Sequence, residues 1–433
     1  MSLRSCMPST ILVFPFASIV IAIAAAIVLA NALGISGFSG MPFIRVFNVL
    51  VAGLFVLLFL LQVRLKPRFW RAGLYKPVLG LLVLNIIYLG IGLLRGNNKL
   101  YLLTDCIYLT LFYLTFLYGA GSFRSAQATY SHRNFIHATL LLTFITSICS
   151  LVKVGTPSDM LILWAIALVI SIARREHLYT GLLVLAIAPQ LPTLNRAIIL
   201  AILSGLIVLF FSSGITRKVK VLLPAVAIAG MLAYVFTQTD YLYGTGMERR
   251  IKETAALLVS DPNEELPLPL LQRMYEGQMV NQDIKNGFTP GALLFGMGHG
   301  YTLNMSQSVD PAVVETQLEG SANTHNIHLV NYALQARFGL LGSLAFLAIF
   351  VMSMLRIHQL FKQKSTDANS LELVANLYVF LLIMFATTAS SFLFSSMLLG
   401  YFCGVANQAK VTAMAPRRSK SPAPLEPVMG GGH

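Results

Sequence analysis

Long apolar runs recur along the chain, separated by short polar joints. Their cores lie at Ile11–Leu33, Phe43–Val63, Pro77–Leu94, Tyr101–Gly119, Phe135–Val152, Met160–Ala173, Leu178–Ala188, Ala197–Phe211, Val221–Gln238, Phe338–Leu355, Leu373–Thr388 and Phe392–Ala406. A helix of about 20 apolar residues crosses the roughly 30 Å hydrocarbon core, and a helix satisfies its own backbone there. The pattern therefore predicts an all-α integral membrane protein of about 12 transmembrane helices. Leu178–Ala188 and Phe392–Ala406 are short for a span and need flanking residues to complete it. The first run is too long for a signal-peptide core and reads as a retained anchor.

One stretch breaks the pattern. From Thr239 to Thr324 the apolar runs stop, and this segment holds 11 of the 17 Asp and Glu residues but only five of the 31 Lys and Arg residues. It divides the chain into helices one to nine (residues 1–238), a large partly helical loop (239–324), helices ten to twelve (325–409) and a tail (410–433). The tail is rich in Pro, Ser, Lys and Gly and is expected to be disordered and cytoplasmic, with Gly430 to His433 resembling a tag remnant.

Charge orients the predicted spans. Alternate loops hold Arg64, Lys66, Arg68, Arg71 and Lys76; Arg124 and Arg133; Arg174 and Arg175; Arg217, Lys218 and Lys220; Arg356, Lys362 and Lys364. The opposite loops hold only Arg95, Lys99, Lys153 and Arg196 before the acidic segment. The positive-inside bias then puts both termini inside and Thr239–Thr324 outside.

Composition excludes a soluble domain. Apolar residues make up 56% of the chain, charged residues 11%, and mean hydropathy is +0.73. The net charge of +14 sits in short clusters between apolar runs, so it reads as topology rather than nucleic-acid binding. Cys6, Cys106, Cys149 and Cys403 are far apart, without the spacing of a zinc site or a disulfide framework.

Candidate chemistry gathers around the acidic segment. Arg196 opens a predicted span, where the positive helix end adds to the guanidinium and favours an anion. Leu270–Met279 reads as a helix carrying Arg273 and Tyr275, with Glu276 at i+3 available as the partner of Arg273. Gly296, Gly298 and Gly300 form a glycine run. It lacks the strand–turn–helix unit of a dinucleotide site, so it reads as a turn or as a loop that brings backbone N–H groups to a ligand. His325 and His328 are three apart and are expected to share one helical face. No HExxH or DxD pattern accompanies them, so no metal or other cofactor is expected, and an imidazole there can act as a general base.

Three of these segments resemble the bacterial O-antigen ligase and O-antigen polymerase superfamily. Arg196-Ala-Ile-Ile-Leu200 is similar to the family's Arg-x3-Leu motif at the start of a span. Arg273-Met-Tyr275 with Phe295-Gly-Met-Gly-His-Gly300 resembles its large-loop run. Thr324-His-Asn326, ending in Gly339-Leu-Leu-Gly342, resembles its His-Asn…Gly-x-x-Gly motif. Twelve residues separate Asn326 from Gly339, three more than is usual in the family and close to one helical turn. Counting back from Gly339 at the family spacing reaches His328, which lacks the polar residue after it.

The resemblance implies a GT-C-like transferase of the bacterial inner membrane with a periplasmic active face. Its donor would be an undecaprenyl pyrophosphate-linked glycan and its acceptor a hydroxyl on lipid A–core for a ligase, or on a growing glycan for a polymerase. Arg196 and Arg273, with Tyr275 and Asn326, would bind the donor. His325 is expected to be the base and His328 its support. A transporter or flippase is the rival reading, with Asp105, Glu176, Arg337 and Glu372 as its charges within or near spans.

Overall fold

The computed structural model describes residues 74–151, 158–193, 196–212, 268–287, 291–304, 323–325, 327–363, 367–387 and 396–414. Helices α1 (Tyr75–Leu94), α2 (Lys99–Thr129), α3 (His132–Leu151), α4 (Ser158–Arg174) and α5 (His177–Ile187) come first. A 3-10 turn at Ala188–Thr193 leads to α6 (Arg196–Ser212). Within the acidic segment lie α7 (Leu268–Asn286) and α8 (Gly291–Phe295). A two-residue ladder follows, with β1 (Leu303–Asn304) antiparallel to β2 (Asn323–Thr324) and Leu303 opposite Thr324. Helices α9 (Val330–Lys362), α10 (Asp367–Ala386) and α11 (Met397–Met414) close the chain.

Pro77–Leu94, Tyr101–Gly119, Met160–Ala173, Ala197–Phe211 and Phe338–Leu355 lie wholly within helices, and the other expected spans are mainly helical over the residues described, with residues 152, 388 and 392–395 outside them. Ile11–Leu33, Phe43–Val63 and Val221–Gln238 lie outside the described residues, as does the tail beyond Met414. Helix α11 itself runs five residues past the expected boundary at 409. Tyr75–Leu94, Lys99–Phe123, Val330–Lys362 and Asn369–Ala386 are long and apolar enough to cross a membrane, while His177–Gln190 and Ala197–Ser212 are apolar but shorter.

The helices carry apolar residues on both faces. On α1 the stripe Val78, Leu81, Asn85, Tyr88 and Gly92 is buried, yet Ile86 is 73% and Leu94 91% exposed on the other side. An aqueous monomer rarely leaves so much apolar surface bare, whereas lipid accepts it. Lipid tails give helices no hydrophobic reason to associate, so close packing and hydrogen bonds hold such a bundle. Both occur here. Gly400 and Gly404 of α11 lie against the carbonyls of Phe112 and Phe116 on α2, and Gly119 lies against the carbonyl of Tyr401, so any side chain at these glycines would strike backbone. Polar links join α3, α4 and α5. Trp164 Nε1 donates to Leu183 O (2.9 Å), and Gln190 Nε2 donates to Thr146 Oγ1 and Ser147 Oγ (both 2.9 Å).

The bundle has two distinguishable ends. At one, His132 of α3 meets Glu176 after α4, Arg174 Nη2 donates to Ser370 Oγ at the start of α10, and Arg356 grips Glu372. At the other lie the α1–α2 turn, the loop after α8 and the start of α9. There α1 ends in a left-handed Gly96, with Gly96 N–H bonded to Leu93 O and Asn97 N–H to Gly92 O. Asn98 then caps α2 by accepting from Leu100 and Tyr101 N–H.

Candidate functional site

The glycine run builds the site by entering the bundle as bare backbone. Helix α9 breaks internally at Gly339 (φ 57°, ψ −158°), which leaves the carbonyls of Ala336 and Arg337 available to outside donors. Met297 N–H donates to Ala336 O (2.6 Å) and Gly298 N–H to Arg337 O (3.1 Å). His299 N–H donates to Tyr88 O on α1 (3.1 Å), and Gly300 N–H to Asp105 Oδ2 on α2 (3.0 Å). Gly296, Gly298 and Gly300 all have φ between 72° and 80°. A Cβ on them would sit 2.6 Å from Gly339 N, Gly92 N and Asn98 O respectively. Only glycine fits a left-handed backbone that close to its neighbours. The run is therefore a stitch between α1, α2 and α9, and Met297 to Gly300 spend their N–H groups on protein acceptors.

Asp105 is the hub beneath the stitch. It is 1% exposed, and Arg337, equally buried, brings its Nε to 3.7 Å. His325 Nε2 lies 3.1 Å from Asp105 Oδ1, and His325 Nδ1 lies 2.8 Å from Tyr301 O. Arg337 also donates to His325 O. The His325 ring stacks on Tyr101 at 4.2 Å and 7°. Both ring nitrogens of His325 thus face protein oxygens, Tyr301 O on one side and the Asp105 carboxylate on the other.

His328 has a different setting. Its Nδ1 lies 2.6 Å from Glu276 Oε1, and its backbone N–H donates to Glu276 Oε2 at 2.9 Å. Glu276 sits on α7 and is fully buried, while the His328 side chain is 27% exposed. The expectation of two histidines on one helical face is corrected here. Helix α9 begins only at Val330, with Leu329 extended at its cap (φ −97°, ψ 123°). Thr324 is held in the ladder, and the His328 N–H is taken by a carboxylate rather than by a helical carbonyl.

The other expected residues fall as follows. Arg273 and Tyr275 are half-buried on α7, one turn and one residue before Glu276. Tyr275 packs on a small apolar cluster that includes Val280, Ile284, Leu303 and Ile327. Arg196 is the first residue of α6. The Arg174–Ser370 contact makes α4 run the same way as α9, and the short α5 returns the chain, so α6 starts at the end where His325 and His328 lie. Asn326 lies outside the described residues. No cluster of three or more potential metal ligands occurs among the described residues.

Sequence reasoning missed four participants. Asp105 and Arg337 were visible only as charges in apolar runs. Glu276 enters the sequence reading only as a neighbour of Arg273, and its two carboxylate oxygens also bond to His328. His299 was passed over inside the glycine run. Its Nε2 lies 2.6 Å from Asn85 Oδ1, and its ring meets Tyr88 and Phe338 edge-on at 81° and 86°. Burial pushes His299 down to about 4, against the opposing pull of Asp105, so the ring is neutral at neutral pH. Burial also raises Tyr301, helped by the carboxylate of Asp283, to which its hydroxyl donates at 2.6 Å.

No protein-family profile matches the chain, and no curated protein is significantly similar to it.

Proposed function

We propose that the chain transfers a glycan from an undecaprenyl pyrophosphate-linked donor to a sugar hydroxyl at the outer face of a bacterial inner membrane. The observation that supports this reading most is the docking of α7 on the mouth of α9. Through Glu276, the helix carrying Arg273 and Tyr275 is tied to the segment carrying His325 and His328. Two motif segments that resemble the ligase and polymerase superfamily, 52 positions apart at their point of contact, therefore meet at one end of the bundle. Arg196, from the third segment, opens its helix at that end.

The chemistry asks for these groups. A departing diphosphate needs cations, and Arg supplies a permanent charge and a bidentate fork without a metal. The acceptor hydroxyl needs a base, worth roughly 10²–10⁴-fold. Attack from the face opposite the diphosphate inverts the anomeric centre. A 12-span topology with Thr239–Thr324 in the periplasm belongs to the same reading. The transporter alternative draws less support, because Asp105 and Arg337 are committed to each other and to the stitch.

Of the two acceptors, lipid A–core is preferred, which makes the chain an O-antigen ligase. The test is the glycolipid pattern of a deletion strain. A ligase predicts loss of long-chain glycan from lipid A–core while the free lipid-linked polymer accumulates. Attachment of single repeats instead identifies a polymerase, and an unchanged pattern rejects both.

A further inference from the structure

We propose that Glu276 is a positioning residue that makes His328, rather than His325, the base of the transfer reaction. This rests on the glycosyl-transfer reading above and names the atoms that carry it.

The argument begins with what a carboxylate can do. It only accepts, so the hydrogen shared at 2.6 Å between His328 Nδ1 and Glu276 Oε1 belongs to Nδ1. That fixes the tautomer and leaves the lone pair on Nε2. The other carboxylate oxygen accepts the backbone N–H of the same residue, so ring and main chain are gripped together. Glu276 is held firmly, being fully buried on a helix that seats closely on α9. A Cβ at the adjacent Gly277 would lie 2.5 Å from the Tyr332 ring. His328 Nε2 meets no partner among the described residues, and the ring is partly open to the surroundings. A carboxylate behind one imidazole nitrogen and an accessible lone pair on the other is the arrangement that general-base histidines use. His325 lacks it, since Asp105 and Tyr301 occupy both its nitrogens.

In the reaction, His328 Nε2 takes the proton of the acceptor hydroxyl. The oxygen lone pair forms the new bond to the anomeric carbon. The bond from that carbon to the diphosphate oxygen breaks, and its electron pair leaves with the lipid diphosphate. Glu276 faces the imidazolium so formed and later lets Nε2 release the proton to solvent.

The test combines two readouts on full-length protein in lipid nanodiscs. Histidine-selective ¹⁵N NMR reads the His328 tautomer, with His328→Ala supplying the assignment. Single-turnover assays read transfer from a lipid-linked diphosphate glycan to a hydroxyl acceptor. The wild type should show the Nδ1–H tautomer. Glu276→Gln, whose amide can point its N–H at Nδ1, should lose that tautomer and about 10²–10⁴-fold in transfer, with donor affinity within about threefold. Glu276→Asp should recover at least part of both. An Nε2–H tautomer in the wild type overturns the proposal, as does a Glu276→Gln or His328→Ala protein transferring within about threefold of wild type. Both results leave the glycosyl-transfer reading standing when the wild type is active. A wild type with the expected tautomer and no transfer from such donors sinks the glycosyl-transfer reading and the base role with it.

Discussion

The two ends of the helix bundle use the same residue types in opposite ways. Away from the site, His132 pairs with Glu176 and Arg356 with Glu372 between side chains, with Glu176 26% and Arg356 19% exposed. A cavity of about 350 Å³ opens there beside Arg174, Lys362 and Ser370. At the site end, Asp105 and Arg337 are almost wholly enclosed, and each also bonds to loop backbone, Asp105 accepting from Gly300 N–H and Arg337 donating to His325 O. Charge near the surface links neighbouring helices. Enclosed charge here helps fix the path of a loop.

That contrast makes Arg337 the most sensitive point. Replacing it with Met should cost about 3–5 kcal/mol, because Asp105 is left buried without its cation. Detergent-solubilised protein should unfold at a correspondingly lower temperature. Adding Asp105→Asn to the variant should recover part of the loss, as coupled sites do. A single variant as stable as wild type would mean that the enclosed pair is not what holds the loop.

Acid provides an intermediate effect. The folded protein keeps His299 neutral down to about pH 4, whereas the unfolded chain binds a proton below about 6.5. The unfolded state therefore carries more protons in that window, and stability falls as pH is lowered through it. Between pH 6.5 and 5 the loss from this group is roughly 2 kcal/mol. His299→Gln should flatten the pH dependence of the melting temperature over that range. An unchanged slope would show that the acid sensitivity lies elsewhere.

The smallest effect belongs to the opposite end. Glu176→Gln should cost less than about 1 kcal/mol, since the pair is partly exposed and screened. A loss as large as that of Arg337→Met would erase the distinction between the two ends.

Much of this bundle was legible in the sequence because a helix crossing a membrane needs an unbroken apolar run, and such runs leave little ambiguity. Helices α1, α4 and α6 start and stop within two residues of the runs that predicted them. The chemistry was harder to read. His325 and His328 suggested a helical face through their spacing, but spacing says nothing about whether a helix has begun, and Leu329 holds the chain extended. The contact of Glu276 with His328 had no signal in the sequence. Glu276 lies among polar neighbours on α7, and His328 is 52 positions away. The glycine run showed that backbone must approach something closely, without saying whether that was a ligand or a neighbouring helix.

The stitch also has a consequence in time. Asp105 reaches His325 across 220 positions of chain, with Arg337 twelve positions later still. At roughly 5–20 residues per second, synthesis leaves Asp105 without either partner for about 10–45 s. Helices α1 and α2 are complete long before the residues that neutralise their buried carboxylate exist. The site therefore cannot close until the start of α9 has been made, and a chain stopped short of α9 keeps an unanswered charge among apolar helices, a mark by which unfinished copies differ from finished ones.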